Sequence, residues 1–341
     1  MSVESHGRGP ALPGDDGLGS KQSDADERGP DLSIIVPCFN EARLISPFFE
    51  RTSAVLDGLN LTWEILLIDD GSRDETAREA KRWARADARI RVFSFARNFG
   101  KEAALTAGLD YSRGQAVIPI DVDLQDPPEV IPELIKWWQC GHEIVLARRV
   151  DRRSDPWLKR VTAAAFYRVM NRFGSLQIAE NVGDFRLLDR KVVNVVRRLR
   201  ERNRFMKGLL AWPGFSSTII EYTRAPRSAG QSRWNYWRLW NFALDGLTSF
   251  STAPLRIWTY IGAGIAFAAF LYATFLVIRT LVFGVDVAGY ASLMVTILFL
   301  GGVQLLTLGV IGEYLGRLYI EVKGRPIYVL RDGPRDDPHN D

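Results

Sequence analysis

The chain has 341 residues, with 44 Lys and Arg against 40 Asp and Glu, a formal net charge of +4 and 47% hydrophobic residues. That length holds one sizeable soluble domain plus an appendage. The mild positive balance comes without a helix-turn-helix, zinc-finger or RNA-binding motif, which argues against nucleic acid as a partner. The two cysteines, Cys38 and Cys140, are far apart, so neither a disulfide framework nor a Cys-x-x-Cys zinc site is expected.

Residues 1–30 are rich in Gly, Pro, Ser and charge and cannot bury a core. They read as a disordered tail without the apolar stretch of a cleavable signal peptide. From Asp31 the pattern changes. Leu32-Ser33-Ile34-Ile35-Val36 reads as a buried strand ended by Pro37, followed by a helix over 41–56. Trp63 to Ile68 reads as a second strand ending in Asp69-Asp70-Gly71-Ser72, and Asp74-Glu75-Thr76 opens a helix. Ile90 to Phe95 reads as a third strand, 101–110 as a helix and Ala116 to Ile120 as a fourth strand. Short connections between alternating strands and helices mean βαβ units and a parallel sheet. The polar clusters Asn40-Glu41, Asp69-Asp70, Arg97-Asn98 and Asp121-Asp123 all fall at carboxyl ends of strands, where open α/β sheets bind ligands.

Ile144 to Ala147 reads as a further strand ending at Arg148-Arg149, and 157–173 as an amphipathic helix. Phe205 to Trp212 reads as apolar and exposed. Between 234 and 250, Trp234, Tyr236, Trp237, Trp240 and Phe242 are mixed with Arg233 and Arg238, the pattern of a segment in the headgroup layer. Ile257 to Ile278 and Val287 to Gly312 carry no charge and are each about long enough to span a bilayer. The short connector 279–286 makes them a hairpin. Arg256 before it and Arg317, Lys323, Arg325 and Arg331 after it place both ends in the cytoplasm. Tyr319 to Val322 and Ile327 to Leu330 flank Lys323-Gly324-Arg325-Pro326 and read as a terminal hairpin or an added strand.

Asp121-Val122-Asp123-Leu124-Gln125 gathers hard oxygen ligands on a short turn leaving a strand. That suits Mg²⁺ or Mn²⁺ carrying a diphosphate, with an acidic surface turn as the alternative. The two spans then suggest a lipid as one substrate.

Taken in order, Val36-Pro37-Cys38-Phe39-Asn40-Glu41, Ile68 to Asp74 and Asp121 to Gln125 resemble the nucleotide-sugar core of family-two, GT-A glycosyltransferases. Arg97-Asn98-Phe99-Gly100-Lys101, Gly183-Asp184-Phe185-Arg186-Leu187-Leu188-Asp189-Arg190 and Gly230 to Tyr236 resemble the polyprenyl-phosphate branch, which includes bactoprenol glucosyltransferases and dolichol-phosphate mannose synthases. The resemblance covers roughly residues 31–331. It implies an α/β fold: a GT-A, Rossmann-like nucleotide-sugar-binding domain over 31–232, amphipathic interfacial helices over 233–255, a two-helix transmembrane hairpin over 256–315 and a cytoplasmic C-terminal strand or hairpin over 316–341.

The resemblance implies a donor pocket of Pro37, Phe39, Glu41, Asp69, Asp70, Lys101 and Asp121. Of Asp69 and Asp70, one accepts from base or ribose and the other is free to cap the next helix; Lys101 could equally be a solvated face residue. Asp121, Asp123 and Gln125 would hold Mg²⁺ or Mn²⁺. Asp184, with Asp123 and Arg186, would stand on the catalytic side, against the alternative that Asp184 simply pairs with Arg186 or Arg190. Arg148, Arg149, Arg160, Arg227, Ser232 and Arg233 would clamp the acceptor phosphate. The expected partners are a nucleotide sugar such as UDP-glucose, polyprenyl phosphate, the bacterial cytoplasmic membrane and further copies of the chain, up to a tetramer. GDP-mannose or a UDP-aminosugar is the alternative donor. A processive synthase is the nearest rival, but Gln231-Ser232-Arg233-Trp234 is one residue short of its Q-x-x-R-W motif. A scaffold would have lost the Asp121-Asp123-Gln125 set, and a flippase would carry more polar residues in its spans than Gln304.

Overall fold

The computed structural model describes residues 29–150, 182–199, 201–202, 204–223, 253–283 and 289–332. The expected N-terminal tail, apart from Gly29 and Pro30, the helix over 157–173 and residues 233–252 of the expected interfacial segment 233–255 lie outside these residues; 253–255 open a long helix instead.

Among the described residues, eight strands, numbered β1 to β8 in chain order with the ranges given below, form one sheet in the order β7-β5-β6-β4-β1-β2-β3-β8. β1 (Leu32–Cys38) and β2 (Trp63–Asp69) are buried along their whole length, as expected for strands covered on both faces. Parallel pairing joins β1 to β2 and to β4 (Ala116–Pro119), and β2 to β3 (Ile90–Phe95). Side chains of β1 alternate between two cores. Ile34 and Val36 join the cluster covered by α1 (Ala42–Asp57), α2 (Thr76–Ala86) and α4 (Ile131–Gln139). Ile35 joins the one covered by α3 (Lys101–Tyr111), α5 (Arg190–Arg198) and α6 (Met206–Ala211).

The sheet is mixed rather than parallel throughout. β6 (Val182–Asp189) runs antiparallel between β4 and β5 (Ile144–Arg149), and β5 pairs in parallel with β7 (Ser217–Tyr222). This reversal has a functional result. The amino end of β6, not its carboxyl end, lies beside the carboxyl ends of β4 and β5, so Asp184 arrives at the same rim as Asp121.

α3 is buried along most of its length and lies directly on β1. Gly108 makes that approach possible: a Cβ there would sit 2.2 Å from Cγ2 of Ile35. Phe205 to Trp212 is not the exposed strip expected. Phe205, Met206, Leu209 and Leu210 are buried, Met206 and Leu210 in one cluster with α5 and the sheet, while Trp212 is exposed. Their spacing is that of one apolar helix face.

Two long helices follow, α7 (Ala253–Phe283) and α8 (Tyr290–Val322). At 1.5 Å per residue each is about 45–50 Å long, more than a bilayer core requires. Both present large apolar side chains outward, including Phe267, Phe270 and Phe275 on α7 and Phe299, Leu305 and Leu308 on α8. Among the described residues one stretch, Phe299–Val322, meets the length and hydropathy of a membrane span. α8 therefore continues past Gly312, and Tyr319 to Val322 are helical rather than extended. The helix stops at Lys323-Gly324, with Gly324 at φ 61 and Pro326 two residues on. Lys323-Gly324-Arg325-Pro326 is thus a helix stop and not a hairpin turn. The chain then returns to the sheet, where β8 (Leu330–Asp332) pairs antiparallel with β3.

Replacing Gly108 by Ala should force α3 away from β1. Overpacking of this kind costs about 1–3 kcal/mol. A clear fall in the thermal midpoint of the full chain in detergent is the expected outcome; an unchanged midpoint would mean that the helix can move at no cost.

Candidate active site

The rim is assembled from loops at the carboxyl ends of β1, β2, β3 and β4. Pro37 is buried in register with Ile68, and Phe39 is 39% exposed at the mouth. Asn40 adopts a left-handed backbone (φ 56), which Asn tolerates better than most residues. Its N–H donates to Ser72 Oγ at 2.9 Å and its side-chain oxygen accepts from the Arg73 N–H at 2.9 Å, tying the first loop to the second. The start of α2 is served by Asp74, whose carboxylate accepts from the Thr76 N–H at 3.0 Å. Neither Asp69 nor Asp70 is the helix cap.

The two adjacent aspartates have different tasks. Both oxygens of Asp70 are engaged: Phe99 N–H donates to one at 2.6 Å and Gly100 N–H to the other at 2.9 Å. Asp70 is thereby the anchor of the loop between β3 and α3. Burial raises its pKa, against the pull of those two N–H groups. Asp69 is fully buried and uses one oxygen to accept from the Ser72 N–H at 3.0 Å. Its other oxygen has no hydrogen-bond partner among the described residues. A buried carboxylate oxygen left so is expected to be satisfied by something else. Cys38, beneath this pair, is a buried wall residue whose thiol is pushed well up by burial and by Asp69.

Asp121 to Gln125 follow β4. Asp123 turns back to accept from the Gln125 N–H at 3.1 Å, and Gln125 itself is buried. Leu124 between them has φ 55, an uncommon backbone for a branched residue, and is held there by its side chain in the core. Lys101, the first residue of α3, reaches across the cleft. Its ammonium lies 2.7 Å from an Asp121 oxygen and 2.7 Å from an Asp184 oxygen. The surrounding protein strips some water from that charge although the side chain stays 44% exposed, and Asp121 and Asp184 together outweigh this and raise the lysine pKa. For Asp184, burial is again opposed, here by Lys101, Lys207 and Arg186, and its pKa is held at about 2.

Negative charge nevertheless remains in excess. Burial and the carboxylates of Asp121 and Asp123 push Glu41 up to about 7. Among the described residues no three His, Cys, Asp or Glu side chains stand close enough to hold a metal ion by themselves. Asp121, Asp123 and Gln125 offer oxygen donors alone, which is the chemistry a hard cation takes.

The cations on the far side divide as follows. Arg186 is 5% exposed and donates to the Gly183 carbonyl at 2.5 Å beneath Asp184. Arg148 pairs with Glu221 of β7 at 2.6 Å on an exposed part of the sheet, and Arg149 is half-buried beside it. Arg160, Arg227, Ser232 and Arg233 lie outside the described residues. Two residues that sequence patterns do not single out belong here. Lys207 donates to the Val182 carbonyl at 3.1 Å and bears electrostatically on Asp184. Glu102 accepts from the Met206 N–H at 3.2 Å, and burial and Asp184 push its pKa to about 7. Lys207 sits in a run that looks merely apolar, so no local pattern marks it.

Two outcomes follow from these assignments. Asp70→Ala leaves two backbone N–H groups without their carboxylate and should cost about 1.5–3 kcal/mol. Asp69→Asn should leave the thermal midpoint near wild type, and a reversed order of the two midpoints would contradict the division of tasks. Glu102 has a folded-state pKa above its unfolded value. The stability it contributes is present below the unfolded pKa and is lost as pH rises through about 7. Glu102→Gln should therefore melt higher than wild type at about pH 8 and converge with it near about pH 5; parallel melting curves across that range would rule out the shift.

Comparison with known proteins identifies the family. The model of Glycosyl transferase family 2 matches residues 33–197, and that of the GtrB C-terminal hairpin matches residues 253–318. An uncharacterized glycosyltransferase of Synechocystis is 53% identical over 302 residues, covering 89% of this chain and 95% of that one. The SfII prophage-derived bactoprenol glucosyl transferase of Shigella flexneri is 53% identical over 307 residues, covering 90% and 99%. The prophage bactoprenol glucosyl transferase homolog of Escherichia coli K12 is 51% identical over 300 residues, covering 88% and 98%. On these matches, the chain belongs to glycosyl transferase family 2, in the group that contains the bactoprenol glucosyl transferases.

Proposed function

We propose that the protein transfers glucose from UDP-glucose to a polyprenyl phosphate at the cytoplasmic face of a bacterial membrane, with inversion at the anomeric carbon. The observation that carries this reading is the position of Lys101. One ammonium touches both Asp121 and Asp184, so the donor-side carboxylates and the cation-flanked Asp184 share one cleft. Support comes from the naming of relatives at 53% identity as bactoprenol glucosyl transferases.

In this reading the unpartnered oxygen of Asp69 accepts from the base or ribose. Asp121, Asp123 and Gln125 would hold Mg²⁺ or Mn²⁺ together with the diphosphate; when bound, the cation offsets charge on the leaving nucleoside diphosphate. The acceptor needs no general base, because a phosphate monoester has its second pKa at about 6 and is ionised at neutral pH. Asp184 is too weak a base for that role in any case, because Lys101, Lys207 and Arg186 hold its pKa well below the usual carboxylate range. It serves as a fixed negative charge opposite the anomeric carbon, where positive charge builds up. Arg186 and Lys207, with Arg148 and Arg149, screen the approach of the phosphate to the diphosphate. Arg160, Arg227, Ser232 and Arg233 would complete that clamp from the segments nearer the membrane. The two long helices would cross the bilayer as a hairpin with both termini cytoplasmic, and assembly into a homo-oligomer is part of the same reading.

The test is to incubate membranes carrying the protein with undecaprenyl phosphate and a panel of radiolabelled nucleotide sugars. UDP-glucose should label the lipid; labelling from GDP-mannose or a UDP-aminosugar would change the donor, and none from any donor would refute the reading. Asp123→Asn should lower transfer about a hundredfold, equivalent to about 2.7 kcal/mol in the barrier, since a neutral amide is a poor ligand for a hard cation. A chelator should do the same to the wild type, reversed by Mg²⁺ or Mn²⁺. Full turnover in excess chelator would remove the metal from the scheme.

A further inference from the structure

The segment that returns from α8 to the sheet, 327–332, ends against the donor side of the cleft. β8 pairs with the end of β3, with Phe95 opposite Leu330, and Ala96 N–H donates to the Val329 carbonyl at 2.9 Å. Tyr328 is 7% exposed. Its ring stacks on Phe95 at 5.2 Å with the planes 10° apart, and its hydroxyl donates to Asp110 near the end of α3 at 2.9 Å. Phe95 in turn meets Phe99 edge-on at 5.7 Å. Phe99 and Gly100 supply the two N–H groups that hold Asp70, and Lys101 is the next residue. On its inner side the same loop is in backbone contact with the turn after Asp70: a Cβ on Gly71 would lie 2.5 Å from the Arg97 carbonyl carbon.

The loop from Ala96 to Lys101 is therefore held from two sides, by Asp70 within and by the returning segment without. We infer that Tyr328 is a positioning residue of the donor site. By packing on Phe95, and through it on Phe99, it fixes the loop that presents Lys101 and keeps Asp70, and so the neighbouring Asp69, in place. The segment leaving the membrane hairpin is thus part of the wall behind the nucleotide pocket. The inference rests on the reading of this rim as a nucleoside-diphosphate-sugar site.

The test uses the full chain in detergent or lipid nanodiscs, with UDP and Mg²⁺ as the calorimetric probe and separate Michaelis constants for donor and acceptor. Tyr328→Ala should weaken UDP binding and raise the donor KM by about tenfold, on the scale of a lost aromatic pair, with the acceptor KM unchanged. Tyr328→Phe keeps the ring and should restore both. Val193→Ala, in the buried face of α5, serves as a packing control: it should lower the thermal midpoint without moving UDP affinity. If Tyr328→Ala fails to fold, Tyr328→Leu, which keeps the bulk but not the stacking, takes its place with the same expected result. Wild-type UDP affinity in the folded Tyr328 variant would overturn the inference, as would losses of affinity that track the thermal midpoint equally in Val193→Ala. A wild-type protein that binds no UDP would defeat the donor-site reading itself, and the positioning role with it.

Discussion

Parallel strands collect their carboxyl ends on one rim, and in this protein that rim is crowded with acid: Glu41, Asp69, Asp70, Asp121, Asp123 and Asp184. The Lys101 ammonium, 2.7 Å from both Asp121 and Asp184, is the counterweight. Its position comes from α3, and the seat of α3 depends on the missing side chain of Gly108 over Ile35. A packing detail about two helical turns from the cleft thus sets where the cation stands. Neighbouring carboxylates still add to the effect of burial in raising the pKa of Glu41 and of Glu102. A rim left with surplus negative charge attracts hard cations and whatever anions those cations can carry.

Much of this was legible in the sequence, because short apolar runs that end in acid or amide residues fit little besides buried strands feeding a polar rim. β1 to β5 fall within a few residues of the positions read from hydrophobic runs, and Lys101 begins α3 as read. What failed to show was anything decided by tertiary partners. Asp69 and Asp70 are the same residue type side by side, and only the approach of the Phe99 and Gly100 N–H groups separates an anchor from a carboxylate with one oxygen unpartnered among the described residues. The reversal of β6 is not written in its composition, since an antiparallel strand buried on both faces looks like a parallel one. Lys323-Gly324-Arg325-Pro326 satisfies the rules for a turn and for a helix stop equally; the long helix preceding it decides.

That strand reversal also accounts for two unlike walls around one cleft. The wall from β1 to β4 is acidic and built of loops tied to one another by hydrogen bonds to the backbone. The wall at the amino end of β6 carries Arg186 and, from α6, Lys207, whose charges add to that of Lys101 in holding the pKa of Asp184 down. Under the proposed function, the acceptor phosphate would approach along the cationic wall, while the donor diphosphate would sit against the acids through its metal, so that neither wall repels its own ligand.

Leu124 carries a consequence of a different kind. A backbone at φ 55 suits glycine, yet the side chain is buried in the core. Such strain costs on the order of 1–3 kcal/mol and persists only where the surroundings impose it. Glycine would relax the backbone and empty the core; isoleucine or valine would fill the core and worsen the backbone. The position is therefore close to intolerant of change, although its side chain lies in the core rather than among the carboxylates. Sequence drift in this loop should be frozen at Leu124 for reasons of conformation as firmly as at its acidic neighbours for reasons of chemistry. A deep mutational scan would mark it as functional when its contribution is to the shape of the turn.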